Sequence, residues 1–222
     1  MATFVLVHGA WGGGQGWQPV AKLLRAQGHD AHIATLTGLG EKKHLLSPAI
    51  TLDTHVTDVI NMIEAYGLKD FVLAGHSYGG MIITEVANRL GSAVRALVYV
   101  DAFLPRDGEA LWDIADDWSR QHYIDAQRDM PGLVAPFPGS PSYLTRHPLL
   151  TLTQPVKMTG AEQAIGKRTY IYATKSAPTV FTKFHDRVKT DPAWTVHSVD
   201  TGHGVMTEQP EETAAILLEA AA

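Results

Sequence analysis

The chain has 222 residues, 45% of them hydrophobic, so it is long enough to bury one core of moderate size. Its 18 basic and 23 acidic residues give a net charge of −5, and this mild balance predicts neither a nucleic-acid partner nor an anionic membrane surface. The absence of cysteine excludes disulfides, thiolate metal sites and a cysteine nucleophile. No apolar run approaches the roughly 20 residues of a membrane span.

Strand-like and helix-like segments alternate along the chain without any repeat, which predicts βαβ units, a mostly parallel sheet and a single α/β domain over residues 1–222. The N-terminus lacks the basic start of a secretory signal and is typical of a first core strand, which favours a cytoplasmic protein. Apolar runs predict six strands, near Thr3–His8, Ala31–Thr35, Phe71–Ala74, Val94–Val100, Thr169–Ala173 and Thr195–Val199. Helical spacing predicts five helices, near Trp17–Gln27, Leu52–Tyr66, Tyr78–Leu90, Phe181–Lys189 and Glu211–Ala220.

One stretch, from Pro105 to about Gly160, interrupts this alternation. It is rich in proline and aromatic residues, and its roughly 55 residues are too many for a simple loop. We interpret residues 105–160 as a helical cap inserted over the catalytic end of the sheet. The alternative is an irregular surface excursion whose aromatic residues only pack it down. If it is a cap, Trp112 and Trp118, together with Trp11, are the candidate substrate-binding residues.

Residues 75–80 read Gly-His-Ser-Tyr-Gly-Gly and lie between an apolar run and a helical pattern. The G-x-S-x-G pattern in this context predicts a nucleophile elbow, in which Ser77 occupies a sharp, strained turn from strand to helix. Gly75 and Gly79 suit such a turn because they have no Cβ, and Gly80 leaves room for close helix packing. The alternative is a glycine-rich turn with an incidental serine.

A nucleophilic serine needs a base, and His203 follows the last predicted strand, where the histidine of such a site must lie. The alternative for His203 is a helix-capping role. His8 and His76 are predicted to shape the site rather than to act in it. Seven further histidines are predicted to be surface or packing residues: His29, His44, His55, His122, His147, His185 and His197.

The third member of a triad is a carboxylate that orients the imidazole. Its common location follows the second-last strand, but residues 170–176 contain no carboxylate. Asp101 ends the strand that follows the nucleophile, and a charge at the end of a buried run is costly unless it is paired. We therefore predict Asp101 as the acid. Asp186 and a serine–histidine dyad are the alternatives, with Asp101 then only capping a loop.

Two backbone N–H groups must hold the oxyanion, and we predict those of Tyr78 and Ala10. The glycines of residues 12–16 follow a strand, yet no register gives G-x-G-x-x-G and no acidic residue ends the second strand. A dinucleotide site is therefore not predicted, and the glycines are expected to let the loop pass close to the substrate. No metal-binding motif is present, so neither a metal nor another cofactor is expected.

Together these residues resemble the α/β-hydrolase superfamily over nearly the whole chain. Residues 4–11, 35–41 and 98–105, with the elbow and Gly202-His203, are similar to small bacterial carboxylesterases of the pyrethroid-hydrolase type. They are also similar to plant methyl esterases and hydroxynitrile lyases. The resemblance implies a mostly parallel sheet of about six strands, a helical cap and no cofactor. Some haloalkane dehalogenases of the superfamily place their acid where Asp101 lies, but they use an aspartate nucleophile rather than a serine.

The resemblance implies a serine carboxylesterase that hydrolyses small hydrophobic esters, with a small-molecule ester as its partner. Plant lyases of this type carry a threonine and a lysine where this chain has Gly9 and Gly204, so lyase activity is the second hypothesis. A non-catalytic ligand-binding protein on a hydrolase scaffold is the third. The sequence leaves open whether two copies associate as a homodimer.

Overall fold

A six-stranded parallel sheet forms the centre of the computed structural model, which describes residues 1–175 and 179–222. The segment at residues 170–176, which contains no carboxylate, ends at Ser176, and Ser176 lies outside the described residues. The strands are β1 (Thr3–Val7), β2 (Asp30–Ala34), β3 (Phe71–His76), β4 (Val94–Val100), β7 (Lys167–Ala173) and β8 (Thr195–Val199). Their order across the sheet is β2-β1-β3-β4-β7-β8. The six predicted strands are therefore confirmed, and every pairing between them is parallel.

Helices cover both faces of the sheet. Five helices outside the insertion match the five predicted helices within one or two residues. The second begins at a side-chain cap, because Thr51 accepts a hydrogen bond from the Thr54 N–H. The helices outside the insertion are α1 (Gln18–Ala26), α2 (Leu52–Ala65), α3 (Gly79–Leu90), α7 (Thr182–Val188), α8 (Val205–Glu208) and α9 (Pro210–Ala221). Short 3-10 turns lie at Gly14–Trp17, Gly40–Leu45, Gly91–Ala93 and Ala161–Ala164.

Residues 105–160 contain short helices and one small antiparallel pair of strands, so the insertion is less purely helical than predicted. Side chains from α4, β5 and α6 enter the same apolar cluster as Tyr78, the residue after the elbow serine. The insertion therefore packs on the side of the sheet from which Tyr78 extends. Its elements are α4 (Leu111–Ile114), α5 (Asp117–Asp125), β5 (Leu133–Val134), β6 (His147–Pro148) and α6 (Leu149–Thr153).

The core consists of two apolar clusters, one on each face of the sheet. Successive side chains of a strand point to opposite faces, so Val5 and Val7 of β1 join one cluster, while Phe4 and Leu6 join the other. The central strands β1, β3 and β4 are buried on both faces and end at the same edge. That edge is where the loops carrying the predicted site residues meet. None of the helices in the described part of the chain is long and apolar enough to cross a membrane.

Candidate functional site

Ser77 lies at the end of β3 with a φ of 56°, in the left-handed region that a non-glycine residue adopts only under strain. Three backbone hydrogen bonds hold it there. Its N–H donates to the Val100 carbonyl at 3.2 Å, and its own carbonyl accepts from Gly80 at 3.0 Å and from Phe103 at 3.1 Å. The end of β4 and the start of α3 thus fix the turn, and the serine is only 9% exposed.

Two glycines of the elbow stand where a Cβ would collide with backbone. A Cβ on Gly75 would lie 2.6 Å from the Gly79 carbonyl oxygen, and one on Gly80 would lie 2.0 Å from the Phe103 carbonyl oxygen. The first contact lets the chain turn sharply into α3, and the second lets α3 pack against the segment after β4. These are the close approaches for which the sequence predicts glycine.

Asp101 and His203 are in direct contact. The His203 Nδ1–H donates to Asp101 Oδ2 at 2.7 Å, and the second carboxylate oxygen accepts a 3.3 Å hydrogen bond from the Ala173 N–H. Asp101 is buried, its φ is 41°, and its N–H donates to the Ile171 carbonyl at 2.7 Å. The hydrogen bonds from the His203 imidazole and the Ala173 N–H offset the cost of burying the charged carboxylate. They also orient the carboxylate across the neighbouring strand toward His203.

The alternative acid lies elsewhere. Asp186 is half exposed, on α7, and its carboxylate accepts a hydrogen bond from Lys189 Nζ at 2.8 Å. A second weak contact joins it to the adjacent His185 at 3.3 Å. Of the two carboxylates that the sequence singles out, the structure therefore brings Asp101, and not Asp186, to His203.

The His203 ring is sandwiched between two aromatic groups. It stacks on Phe181 with ring centroids 4.7 Å apart and an interplanar angle of 10°, and the His76 ring lies 4.5 Å away. His76 Nε2–H donates to the His203 carbonyl at 2.8 Å, and burial lowers the pKa of His76 well below its usual value. A neutral His76 thus holds the loop that carries His203, the predicted base. Among the described residues no hydrogen bond joins Ser77 to the His203 ring, a contact that is commonly long in enzymes without substrate.

The loop after β1 runs directly against the nucleophile. A Cβ on Gly9 would lie 2.9 Å from Ser77 Cβ, so the loop backbone is in contact with the serine. Within residues 1–175 and 179–222, the N–H groups of Ala10 and Tyr78 donate to no protein acceptor. Both predicted oxyanion donors are therefore beside Ser77 and free to bind an oxygen.

His8 shapes this loop, as the sequence predicts. Its Nδ1–H donates to the Gly9 carbonyl at 2.8 Å, and its Nε2 accepts the Leu36 N–H at 3.2 Å. Burial lowers the pKa of His8 to about 4, so the imidazole is neutral at neutral pH and this pattern of one donor and one acceptor is stable.

The glycines that follow have a different role from the expected one. A Cβ on Gly13 would lie 2.6 Å from Gly40 Cα, and one on Gly14 would lie 2.7 Å from the Ile33 side chain. Gly13 and Gly14 therefore let this loop pack against β2 and the loop beyond it, whereas the close approach to the nucleophile is made by Gly9.

The three tryptophans predicted to bind substrate occupy different environments. Trp11 is partly buried and packs with its ring centroid 5.2 Å from that of Phe137. Trp112 is also partly buried against the main apolar cluster. Trp118 is 67% exposed and stacks at 4.8 Å on Phe137, the ring that Trp11 also contacts.

Two buried histidines escaped the sequence analysis, which treats them as surface or packing residues. His55 accepts a hydrogen bond from the Tyr78 hydroxyl at 3.0 Å, and His147 accepts the Trp11 N–H at 3.2 Å. Both residues are fully buried. For His55 a signal exists, because it shares helical spacing with Leu52, Val56 and Val59 and must face the core. For His147, in the irregular insertion, we see no comparable signal.

Glu208 was also missed. Its Oε2 accepts hydrogen bonds from the Gly202 N–H and the Thr201 hydroxyl, both at 3.0 Å, and so closes the loop that carries His203. These donors, the Gly202 N–H above all, lower the pKa of Glu208. In the described ranges, no group of three or more His, Asp or Glu side chains is arranged to hold a metal ion.

Comparisons with known proteins agree with this geometry. The sequence profile described as "Alpha/beta hydrolase family" matches residues 4–216. The chain is 36% identical over 235 aligned positions to a carbendazim hydrolyzing esterase of Nocardioides sp. (strain SG-4G), covering 96% of this chain and 97% of the relative. It is 31% identical to salicylic acid-binding protein 2 of Nicotiana tabacum over 103 residues, which are 46% of this chain and 40% of that one.

Solved structures show the same fold. An extracellular α/β-hydrolase from a Paenibacillus species superposes with a TM-score of 0.86 at 22% identity, covering 99% of both chains. A pyrethroid hydrolase from Sphingobium faniae JZ-2 superposes with a TM-score of 0.77 at 22% identity, covering 99% of this chain and 97% of that one. The predicted fold and the predicted kinship with bacterial and plant esterases are confirmed, and the chain belongs to the α/β hydrolase family.

Proposed function

We propose that this protein is a serine carboxylesterase acting on small, uncharged, hydrophobic esters through an acyl-enzyme. The observation that carries the proposal is the 2.7 Å hydrogen bond between Asp101 and His203, formed beside a strained elbow serine. The esterase that is 36% identical over nearly the whole chain supports ester hydrolysis as the class of reaction.

In the first half of the proposed reaction, Ser77 Oγ attacks the ester carbonyl carbon while His203 Nε2 takes the hydroxyl proton. The carbonyl π-electrons move to its oxygen, and the N–H groups of Ala10 and Tyr78 stabilise the resulting oxyanion. Asp101 accepts the Nδ1–H of His203, which stabilises the imidazolium and keeps the ring in the required tautomer. The oxyanion then collapses, the C–O bond to the alcohol breaks, and His203 returns its proton to the leaving alkoxide.

In the second half, water replaces the alcohol. His203 removes a proton from the water as its oxygen attacks the acyl carbon, and the same N–H pair holds the second oxyanion. The bond to Ser77 Oγ breaks, the serine recovers its proton from His203, and the carboxylic acid leaves. Every step uses side chains and N–H groups of this chain, with no cofactor.

The substrate class follows from the surroundings of the loop after β1. Trp11, Phe137 and Tyr123 form an aromatic group at that loop, with Trp11 5.2 Å from Phe137 and 6.2 Å from Tyr123. Such a lining favours an apolar acyl or alcohol group over a charged one. Trp112 and Trp118 remain predicted substrate contacts. Because a related esterase is named for hydrolysing carbendazim, we include that compound among the substrates to be tested.

The test is hydrolysis of short 4-nitrophenyl esters, and of carbendazim, by the purified protein and by Ser77→Ala. We expect turnover by the wild type and a loss of at least about 10³-fold in the variant. Full activity in Ser77→Ala would exclude the serine mechanism. Mass spectrometry after treatment with a fluorophosphonate gives a second readout, since the adduct should form on Ser77 in the wild type alone.

Lyase chemistry is the weaker candidate. The related α-hydroxynitrile lyase of Arabidopsis thaliana is 27% identical over 58% of this chain. Gly9 and Gly204 offer no side chain to hold a cyanohydrin or cyanide, and a Cβ at Gly9 would crowd Ser77. Cyanide release from mandelonitrile without ester turnover would favour the lyase. Tight binding of small molecules without either reaction would favour a ligand-binding protein.

A cytoplasmic location belongs to the same proposal and rests on sequence alone, whereas the question of a homodimer stays open. Fractionation of the native host tests the location, and light scattering of the purified chain tests the oligomeric state. A secreted protein would match the extracellular hydrolase that shares its fold.

A further inference from the structure

Trp11 follows the predicted oxyanion donor Ala10 and adopts a strained backbone. Its φ is 61°, and the Gly12 N–H donates to the Ala10 carbonyl at 2.7 Å, which closes a three-residue γ-turn around it. This form of the γ-turn is rare and sterically costly for a residue with a side chain. Something outside the turn must therefore hold it in place.

The holding contacts come from the insertion. His147 Nδ1 accepts the Trp11 N–H at 3.2 Å, and the Trp11 carbonyl accepts the Thr145 N–H at 2.9 Å. The indole N–H donates to the Val134 carbonyl at 3.0 Å. All three polar groups of Trp11 thus form hydrogen bonds with residues 134–147 of the insertion. These residues lie more than a hundred positions after Trp11 in the sequence.

The hydrogen bonds around His147 have only one consistent direction. Since Nδ1 accepts from Trp11, the ring proton must be on Nε2, which donates to Thr151 Oγ1 at 2.7 Å. The Thr151 hydroxyl in turn donates to the Pro148 carbonyl at 2.8 Å. Thr151 therefore selects the tautomer in which His147 can accept the Trp11 N–H.

The second oxyanion donor is anchored in the same place. The Tyr78 hydroxyl donates to His55 Nδ1 at 3.0 Å, and His55 Nε2–H donates to the Thr37 carbonyl at 2.9 Å. The His147 ring lies 4.9 Å from the Tyr78 ring and 5.9 Å from the His55 ring. Burial lowers the pKa of both histidines, which keeps both rings neutral. Tyr78 and Trp11, the residue that follows the other donor, thus both contact one buried pair of histidines, His55 and His147.

We infer that His147 is a positioning residue of the oxyanion hole: by accepting the Trp11 N–H it holds the strained turn that presents the Ala10 N–H to the reacting carbonyl. The inference rests on the proposed esterase function and deepens it. It gives the insertion a second role beside covering the substrate, because its contact with Trp11 assembles half of the hole. When that contact is lost, the turn relaxes and transition-state stabilisation falls while substrate binding persists.

The experiment compares kcat and KM for 4-nitrophenyl butyrate in four proteins: wild type, His147→Ala, His147→Asn and Gln127→Ala. Asparagine places an acceptor oxygen near the position of Nδ1, whereas alanine removes the acceptor. Gln127 is the matched control, because its side chain accepts a backbone N–H within the insertion, that of Gly132 at 3.0 Å, without contacting Trp11. Circular dichroism and Tm establish that each variant is folded.

We expect His147→Ala to lower kcat by about 10- to 100-fold with KM within threefold, a smaller loss than removal of a donor itself. His147→Asn should recover most of this loss, and Gln127→Ala should keep at least half of the wild-type kcat. A folded His147→Ala with unchanged kcat overturns the inference, as does a loss confined to KM, an asparagine variant no better than alanine, or an equal loss in Gln127→Ala.

If His147→Ala does not fold, Thr151→Val tests the same coupling, because it removes the hydroxyl that accepts the His147 Nε2–H and selects the tautomer able to accept the Trp11 N–H. We expect kcat to fall several-fold at constant KM, and unchanged kcat contradicts the inference. A wild type without esterase activity would instead refute the proposed function, so the two failures are distinct. Affinity for a trifluoromethyl ketone, which forms an anionic hemiketal on the serine, should weaken in parallel with kcat in every variant.

Discussion

Asp101 follows directly after β4, and its carboxylate reaches across the end of β7 to accept a 2.7 Å hydrogen bond from His203. The acid candidate thus comes from the strand beside the nucleophile's own strand. The same two strands are linked by hydrogen bonds from Ser77 to Val100 and from Phe103 to Ser77, so nucleophile and acid share one rigid support.

The first prediction concerns this carboxylate. Asp101→Asn keeps the size of the side chain but loses the charge that stabilises the imidazolium and selects its tautomer. We expect kcat for 4-nitrophenyl esters to fall by about 10²- to 10⁴-fold with little change in KM. Asp186→Asn is the control and should keep its activity, since Asp186 pairs with Lys189 at the surface. If the two variants lost equal activity, or if Asp101→Asn lost none, the acid would have to be sought elsewhere.

The second prediction concerns the packing of the elbow. A Cβ at Gly80 would lie 2.0 Å from the Phe103 carbonyl oxygen, so Gly80→Ala must push α3 away from the segment that leads to Asp101. We expect a loss of at least about 2 kcal/mol in the free energy of unfolding, or about 4–8 °C in Tm. Gly166→Ala is the control, because a Cβ there meets no atom within 4 Å. Equal Tm values for the two variants would contradict the prediction, because they would show that a Cβ at position 80 fits beside the Phe103 carbonyl without loss of stability.

Much of this architecture is readable from the sequence because it rests on local signals. The central strands were predictable because strands buried on both faces read as continuous apolar runs, and the second helix begins at its Thr51 cap. The elbow was predictable because its glycines stand where a Cβ would collide with backbone, as at Gly75 against the Gly79 carbonyl. Ser77, His203 and Asp101 were candidates because the carboxyl ends of parallel strands meet at one edge.

What the sequence did not reveal depends on long-range contacts in an irregular segment. His147 lies 136 residues from Trp11, and no periodicity relates the two. The insertion has only short helices and a two-residue strand pair, so neither period 3.6 nor period 2 develops in it.

The third prediction is a dependence of stability on pH. Burial lowers the pKa of His8 and of His55 to about 4 in the folded protein, from an ordinary value of 6.5 in the unfolded chain. Above pH 6.5 these two imidazoles bind no proton in either the folded or the unfolded protein, so their contribution to the free energy of unfolding does not change with pH. Between pH 6.5 and 4 only the unfolded state takes up the proton, so stability falls as pH falls, by up to about 1.4 kcal/mol per pH unit for each imidazole.

Urea unfolding at pH 7.5, 6.0 and 5.0 measures this slope. His55→Gln removes one of the buried imidazoles with a lowered pKa, and the stability of the variant should depend less steeply on pH than that of the wild type. His44→Gln, at an exposed position, is the control. Parallel curves for the wild type and His55→Gln would contradict the assignment of the slope to this residue.

The fourth prediction concerns the loop of the base. Glu208 is exposed, yet its carboxylate accepts hydrogen bonds from Gly202 and Thr201, the two residues before His203. Its removal frees a loop that is otherwise held from the other side by His76 and Asp101. Glu208→Ala should therefore lower kcat by about 10-fold at nearly constant KM, because a base that samples more positions is less often aligned with Ser77.

Glu208→Gln, which keeps one acceptor oxygen, should lose less of the wild-type kcat. Glu211→Ala, on the next exposed turn, should lose none of it. A change in KM alone would indicate that Glu208 acts on substrate access and not on the alignment of His203.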